Sequence, residues 1–235
     1  MAADGATLTS TSFALESSPL PLLLIVGMLA LVPFLMLGAT SYLKLSIVFG
    51  ILRNAIGAQQ IPSAALTSLL ALALTLRIMA PVGSEIGREL QPILSIASTS
   101  PRIPVPKLLE VLSRSQRPLT NFLVRHSRMR ERLFFAGIES PASNFSETEL
   151  LPGESVLSLI PAFMLSELQA AFAIGVVLFL PFIVIDLVVA NLLVGLGLNM
   201  VSPAAFSLPL KLLLFAGCDA WFLLSRSLVL SYGGA

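Results

Sequence analysis

The stretch YLKLSIVFGILRNAIGAQQIP, Tyr42 to Pro62, has the composition of a membrane helix, yet it carries Lys44 and Arg53 within apolar sequence. A charged side chain at the centre of a bilayer costs roughly 2.5–3.5 kcal/mol on insertion scales, so such residues normally face protein or water. Two glutamines and a proline then stop the run, and a second apolar run follows at once. The stretch therefore predicts cations at the seam between two hydrophobic helices.

The composition of the whole chain is that of a membrane protein. Hydrophobic residues make up 56% of the 235 residues and charged residues 11%, with a mean hydropathy of +0.92. Soluble domains carry about 25% charged residues. The formal net charge of +1 does not indicate nucleic acid as a partner. One cysteine, Cys218, excludes an intrachain disulfide, and a single histidine, His126, leaves too few ligands for a His/Cys metal cluster, so we expect no metal and no cofactor.

Four apolar segments follow one another, and spanning the hydrocarbon of a bilayer takes about 20 mostly apolar residues. The first is Leu20–Tyr42, with Pro33 as the expected kink, and the second is Ile61–Val82. The third, Val156–Val201, is too long for one span, and the fourth is Pro203–Leu230. The predicted fold class is an all-α membrane protein of long, kinked helical hairpins with a helical extramembrane insert.

Composition divides the chain into four parts. Residues 1–18 form a polar N-terminal tail, and residues 19–82 hold the first two hydrophobic helices. Residues 83–154 form an arginine-rich helical insert, and residues 155–235 form a C-terminal hydrophobic hairpin. The tail contains neither Lys nor Arg, so we expect no cleavable signal peptide. The charge bias around the first span places the tail outside, and alternation then places the insert outside as well.

Within the insert, Pro118 can open a helix, because its missing N–H costs nothing in a first turn. Helical spacing predicts one stripe of mostly apolar residues and one of arginines. The first stripe is Leu119, Phe122, His126, Met129 and Leu133, and the second is Arg125, Arg128 and Arg132. We interpret His126 as a helix-surface residue and not as a metal ligand.

Charged residues of both signs lie within the apolar segments, which suggests pairing across helices or between subunits. Glu167 and Lys211, the deepest opposite charges of the last two segments, are the best candidates for one pair. A proton-coupled small-solute carrier would use similar charges, so this alternative stays open. Asp186 and Asp219 as an intramembrane aspartyl pair is a third hypothesis, although no catalytic motif accompanies them. The charged residues of this set are Lys44, Arg53, Arg77, Glu167, Asp186, Lys211, Asp219 and Arg226.

Two local patterns concern helix packing and the last hairpin. The spacing Ala171-xxx-Gly175 favours a close helix contact. The stretch LLVGLGLNMVSPAAFSLPLKLLLF, Leu192 to Phe215, makes a turn with no charge before Lys211. Such an apolar turn either packs within protein or points into a pore and closes it, a role that suits the deformable thioether of Met200.

Four phrases resemble one family: TSYLKLSIVFGILRNAIGAQQIP, PAFMLSELQAAFAIG, LPFIVIDLVVANLLVGLGLNMVSP and SLPLKLLLFAGCDAW. This is the FliP/SctR (YscR/HrcR-like) family, membrane proteins of the type III secretion export apparatus. The resemblance runs from about Pro33 to Val82 and from about Leu159 to Tyr232. The expected absence of a signal peptide makes the chain look more like the SctR branch of the injectisome.

The resemblance implies a core subunit of an export gate in the bacterial inner membrane, and not an enzyme. It implies a pentamer-like ring of this chain, joined by SctS/FliQ-like and SctT/FliR-like membrane subunits and by other export-apparatus subunits. Unfolded secreted proteins are then expected to pass through the central channel. The assembled helical hairpins are expected to lie largely out of the bilayer, toward the periplasmic side.

Site residues follow from the same resemblance. Glu167 and Lys211 occupy charged positions typical of the family and are expected to support contacts between neighbouring subunits. Flagellar members carry a methionine run in the last hairpin, which is thought to seal the channel. Here only Met200 keeps that residue type, so the expected constriction consists of Leu198, Asn199, Met200 and Val201.

Overall fold

The computed structural model describes residues 26–27, 30, 37–57, 62–99, 110–111, 113–137, 150, 154–198 and 200–233, with the backbone alone over 93–99. The described residues are helical or lie in turns, and they include no strand. Met1–Leu37 form one compact unit and Gly38–Ala235 another. The predicted first span, Leu20–Tyr42, lies largely outside the described residues.

The second unit contains these helices, in chain order: α1 Tyr42–Ile56, α2 Ala64–Thr99, α3 Arg117–His126, α4 Met129–Phe135, α5 Val156–Gly195, α6 Pro203–Gly217 and α7 Ala220–Gly233.

Helix α1 is the centre of the unit and packs against α2, α5 and α6. Its buried face includes Leu45, Phe49, Leu52 and Ile56, whose spacing of three or four residues places them along one side. Gly57 ends the helix in the left-handed region with φ 79°, a conformation that glycine adopts without steric cost. Within the described residues, helix α1 of the opening stretch is therefore a core helix, with one side buried against its neighbours.

The predicted close contact at Ala171 and Gly175 of α5 is confirmed. Ala171 is fully buried. A Cβ atom added to Gly175 would lie 2.4 Å from Cδ1 and 3.2 Å from Cγ2 of Ile51 on α1. The small residues therefore allow the backbones of α1 and α5 to approach each other.

Helix α5 is continuous over 40 residues and includes Pro161 and Pro181. At 1.5 Å per residue it is about 60 Å long, roughly twice the hydrocarbon thickness of a bilayer. Helix α2 likewise continues past Pro81 and Pro92, so the predicted boundary between Val82 and Gly83 falls inside a helix. The first part of the insert is thus a rigid extension of the second apolar helix.

The fourth apolar segment is not one helix. Helices α6 and α7 meet at a bend of 58°. The bend lies at Cys218 and Asp219, and Asp219 has a φ of 48°. The sequence did not indicate this break, because hydropathy alone does not register a change of helix axis.

Long apolar helices with exposed apolar faces make this a membrane protein. Within the described residues, Ala64–Pro92 and Val156–Gly195 are each long and apolar enough to cross a bilayer, and the bent pair α6–α7 is a third candidate. Large apolar side chains are exposed along α5; they include Phe172, Val176, Val177, Leu180, Ile183, Val184, Leu187, Val188 and Leu192.

Helix α3 has Pro118 in its first turn, as the sequence predicts. The two predicted stripes do not run along one helix, because α3 ends at His126 and α4 begins at Met129. The arginines also differ in environment: Arg132 is buried, with 1% of its surface exposed, whereas Arg125 and Arg128 are exposed. His126 is half-buried against neighbouring aromatic rings and is not a plain surface residue.

Candidate functional site

One buried charge cluster joins α1, α5 and α7. Lys44 Nζ on α1 lies 3.6 Å from Glu167 Oε1 on α5, and both side chains are less than a tenth exposed. The Tyr232 hydroxyl on α7 donates to the other carboxylate oxygen of Glu167. Lys44 also donates to Ser231 Oγ at 3.4 Å and lies 4.4 Å from the centre of the Tyr232 ring. Because the cation has a carboxylate, a hydroxyl and a ring face as partners, its burial is compensated.

A second cluster joins α1, α5 and α6. Lys211 Nζ on α6 donates to Asp186 Oδ2 on α5 at 2.6 Å and to the carbonyl of Ala55 at 3.2 Å. The last carbonyls of α1 have no partner within the helix and carry the negative end of its dipole. Lys211 therefore caps α1 and ties it to the last hairpin at the same time.

The predicted pairing of Glu167 with Lys211 is wrong for the folded chain. Each has another partner, Lys44 for Glu167 and Asp186 for Lys211. The reason is helix geometry, since Glu167 and Asp186 lie 19 residues apart on one continuous helix, a distance of about 28 Å. Lys211 beside Asp186 cannot reach Glu167 of the same chain. The depth of a charge within its apolar segment favoured Glu167 over Asp186 as the partner of Lys211, and no local pattern indicated that Lys44 would face Glu167.

The remaining charges of the predicted set lie apart from these clusters. Arg53 is half-buried in the last turn of α1, and Arg77, Asp219 and Arg226 are exposed. Asp219 lies eight residues beyond Lys211, about 12 Å along the chain direction of α6. Asp186, which is bound to Lys211, therefore does not form an aspartyl pair with Asp219.

Sequence reasoning missed a buried ion pair within the insert, which joins α4 to the residue just before the start of α5. Arg132 Nε and Nη2 donate to Glu154 Oε1 and Oε2, both at 2.8 Å, and the two side chains are 0% and 1% exposed. Ser155 and Ser158 follow with a capping box that starts α5. A bidentate pair fixes both distance and orientation, so it attaches α4 to the residue directly before the N-cap of α5. Glu154 directly before a Ser-x-x-Ser helix start was the available signal.

The apolar turn between α5 and α6 has a defined backbone. Leu198 N–H donates to the Leu193 carbonyl at 2.9 Å, and Gly197 N–H donates to the Val194 carbonyl at 3.0 Å. This is a Schellman motif, and Gly197 supplies its left-handed residue with φ 75°. The hydrogen bonds satisfy carbonyls at the end of α5 and define the backbone as far as Leu198.

The side chains of this turn are exposed although they are apolar. Met200 is 100% exposed, Leu198 44% and Val201 37%, whereas Asn199 lies outside the described residues. Met200 is therefore not covered by its own chain, and both predicted alternatives, packing within an assembly or closing a pore, stay predictions. An exposed apolar tip needs a bilayer, another protein or another copy of the chain to cover it.

These features define a class: a membrane protein whose described residues form long helices, whose buried charges pair across those helices and whose last hairpin exposes apolar residues at its tip. The family model "FliP family" matches residues 25–228. The chain belongs to the FliP family. This is the family of type III secretion export-apparatus proteins that the four phrases quoted in the sequence analysis indicate.

Curated relatives agree with this assignment. The chain is 42% identical over 211 residues to "Pathogenicity-related ORF2" of Xanthomonas campestris pv. glycines, covering 90% of this chain and 95% of that protein. It is 39% identical over 213 residues to "Yop proteins translocation protein R" of Yersinia pestis, covering 91% and 96%. It is 38% identical over 205 residues to "Hypersensitivity response secretion protein HrcR" of Ralstonia nicotianae, covering 87% and 93%.

Proposed function

We propose that this chain is the core channel-forming subunit of a type III export gate, which passes unfolded substrate proteins across the bacterial inner membrane. The observation that carries the proposal is the exposure of the apolar residues Leu198, Met200 and Val201 at the tip of the α5–α6 hairpin, in a chain of the FliP family. The exposed apolar side chains of this tip are suited to contacts with other apolar surfaces and not to catalysis or cofactor binding. Such a tip suits a subunit whose hairpin meets other hairpins.

Self-association into a pentamer-like ring accounts for the exposed apolar faces. The exposed side of α5 extends along a helix about twice as long as the bilayer is thick, so lipid cannot cover all of it. Neighbouring copies and SctS/FliQ-like and SctT/FliR-like subunits would cover the remainder. The ring would then project toward the periplasmic side, together with the insert.

In the ring, the tips of several copies would meet around the axis. Leu198, Asn199, Met200 and Val201 of each copy would form the constriction, with the thioether of Met200 deforming around different passing segments. The Schellman motif at the end of α5 would set where the constriction begins, because hydrogen bonds tie Gly197 and Leu198 to the last turn of the helix.

Glu167 and Lys211 would support the contacts between neighbouring subunits through the helices that they hold. The Glu167 cluster fixes α7 against α1 and α5, and Lys211 fixes the base of the hairpin against α1. The surfaces that a neighbour meets would therefore shift if either cluster were broken.

The test is the permeability of cells or vesicles that carry the assembled complex. Replacing Met200 and Asn199 together with glycine should let small ions leak, because glycine removes the side chains that fill the constriction. Leu157→Gly is the control, since Leu157 is an apolar residue that is 82% exposed at the opposite end of α5. Unchanged permeability in the double variant, with the complex assembled, would contradict the sealing role.

The mass and symmetry of the detergent-extracted complex test the ring itself. Co-expression with SctS-like and SctT-like subunits should give a particle with several copies of this chain around a central opening. A particle with a single copy and no opening would overturn the proposal. Solute uptake by vesicles that contain this chain alone would instead favour a carrier.

A further inference from the structure

His126 occupies the contact between the insert and the C-terminal helix. It is the last residue of α3, and its Nδ1 lies 2.9 Å from the carbonyl oxygen of Phe122. Its ring centre lies 4.5 Å from that of Phe122 and 5.0 Å from that of Tyr232 on α7. Phe122 also stacks on Tyr232, with ring centres 6.0 Å apart. The imidazole is therefore part of the aromatic surface through which α3 meets α7.

The surroundings of the ring disfavour a positive charge. Burial lowers the pKa of His126, and the charges of Lys44 on α1 and Arg125 on α3 add to this effect, whereas hydrogen bonds to the carbonyls of Phe122 and Tyr232 oppose it. The lowered pKa favours the neutral ring at neutral pH, and because a carbonyl oxygen only accepts, Nδ1–H donates to the Phe122 carbonyl.

The charged groups of the other helices packed around His126 do not stabilise the protonated form of its ring. Helix α2 contributes the exposed Glu85, which lines the same cavity of about 270 Å³ as His126 and Arg125. Helix α5 contributes Glu167, whose carboxylate is already bound to Lys44 and to the Tyr232 hydroxyl. Glu167 thus has its own partners, and water screens the exposed Glu85.

We propose that His126 is a proton-sensitive latch that holds α3 of the insert against the end of α7 while its imidazole is neutral and loosens this contact when the imidazole is protonated. In the loosened form the ring is in water, where the positive charge is well solvated. The contact lies within one chain, so the latch does not depend on ring formation or on a channel.

The sign and size of the effect follow from proton linkage. A solvated histidine titrates near a pKa of about 6.5, whereas the docked ring titrates lower, so the loosened form binds the proton more readily. Docking is therefore strongest above about pH 6.5 and weakens as the pH falls toward the docked pKa. One proton changes the ratio of loosened to docked form by at most about tenfold per pH unit.

The direct test uses the full chain in detergent with isotope-labelled histidine. The chain contains a single histidine, so one set of ring signals reports on His126 without assignment. Hydrogen exchange of residues 117–126, corrected for the intrinsic pH dependence, is measured over the same range from pH 7.5 to 5. We expect a titration midpoint below 6.5 and an increase in exchange that follows the protonation of the ring.

Variants separate the latch from general acid destabilisation. His126→Gln keeps a donor for the Phe122 carbonyl but cannot take up a proton, so exchange in α3 should become independent of pH. Asn121→Gln is the matched control, because Asn121 lines the same cavity without titrating, and it should keep the wild-type response.

Three results would each overturn the latch. They are a histidine midpoint at or above 6.5, corrected exchange that does not change with pH, and the same change in His126→Gln as in the wild type. The first two need only the wild-type chain, so they decide the question even if the variant does not fold. None of these results bears on the proposed channel.

Discussion

Replacing Glu167 with Gln removes one charge of a buried pair and leaves Lys44 without a counter-ion. The side chains of Lys44 and Glu167 are 8% and 4% exposed, so water cannot take over the role of the lost carboxylate. Breaking a buried ion pair by removing one partner costs about 3–5 kcal/mol. The amide of the variant still accepts a hydrogen bond from the Tyr232 hydroxyl, so we expect a loss near the lower end, about 3 kcal/mol.

The assay is the unfolding of the full chain in mild detergent by added SDS, followed by circular dichroism. Lys44→Met should restore most of the stability of Glu167→Gln, because it removes the unpaired cation. Lys211→Met should not, because Lys211 pairs with Asp186 and lies about 28 Å along α5 from Glu167. Asp186→Asn is the matched control and should cost clearly less, since that side chain is 49% exposed.

Two outcomes would refute this reasoning. One is a Glu167→Gln chain as stable as the wild type, and the other is rescue by Lys211→Met instead of Lys44→Met. The second outcome would restore the pairing that the sequence alone suggested.

Gly175→Ala should lower the free energy of unfolding by about 1–3 kcal/mol, because the added methyl group overpacks the contact with α1. Ile51→Val in the same chain should recover part of this loss, because it removes the atom 2.4 Å from the new Cβ. Thermal unfolding of the two single variants and the double variant measures the coupling. Arg132→Lys should reduce the free energy that holds α4 of the insert to Glu154 by about 1–3 kcal/mol, since an ammonium cannot replace two parallel hydrogen bonds. Faster proteolysis of the insert would report this loosening, and a wild-type rate would contradict it.

Several features of the fold were predictable because they depend on short-range sequence. Apolar length predicts helices that need a bilayer, and the helix start at Pro118 follows from the chemistry of proline. The small residues Ala171 and Gly175 predict a close contact. The four quoted phrases identified the family, which the matching family model confirms. Each of these inferences requires only neighbours in sequence.

The candidate site was predictable in its residues but not in its pairs. Glu167, Lys211, Lys44 and Asp186 stand out in sequence because charges are rare in apolar segments. Their pairing depends on which turns of α1, α5 and α6 lie side by side, and no local pattern contains that information. Tyr232 gave no signal at all, since a tyrosine near a helix end is ordinary.

Sequence alone was enough to establish that this chain is helical, membrane-bound and a FliP-family member, because composition, periodicity and long phrases express these properties directly. The partners of each buried charge, the bend between α6 and α7 and the burial of Arg132 came from the packed fold. The physical reason is that desolvation makes a buried charge select whichever opposite charge the helix axes bring within reach, and those axes are set by contacts between residues far apart in the chain.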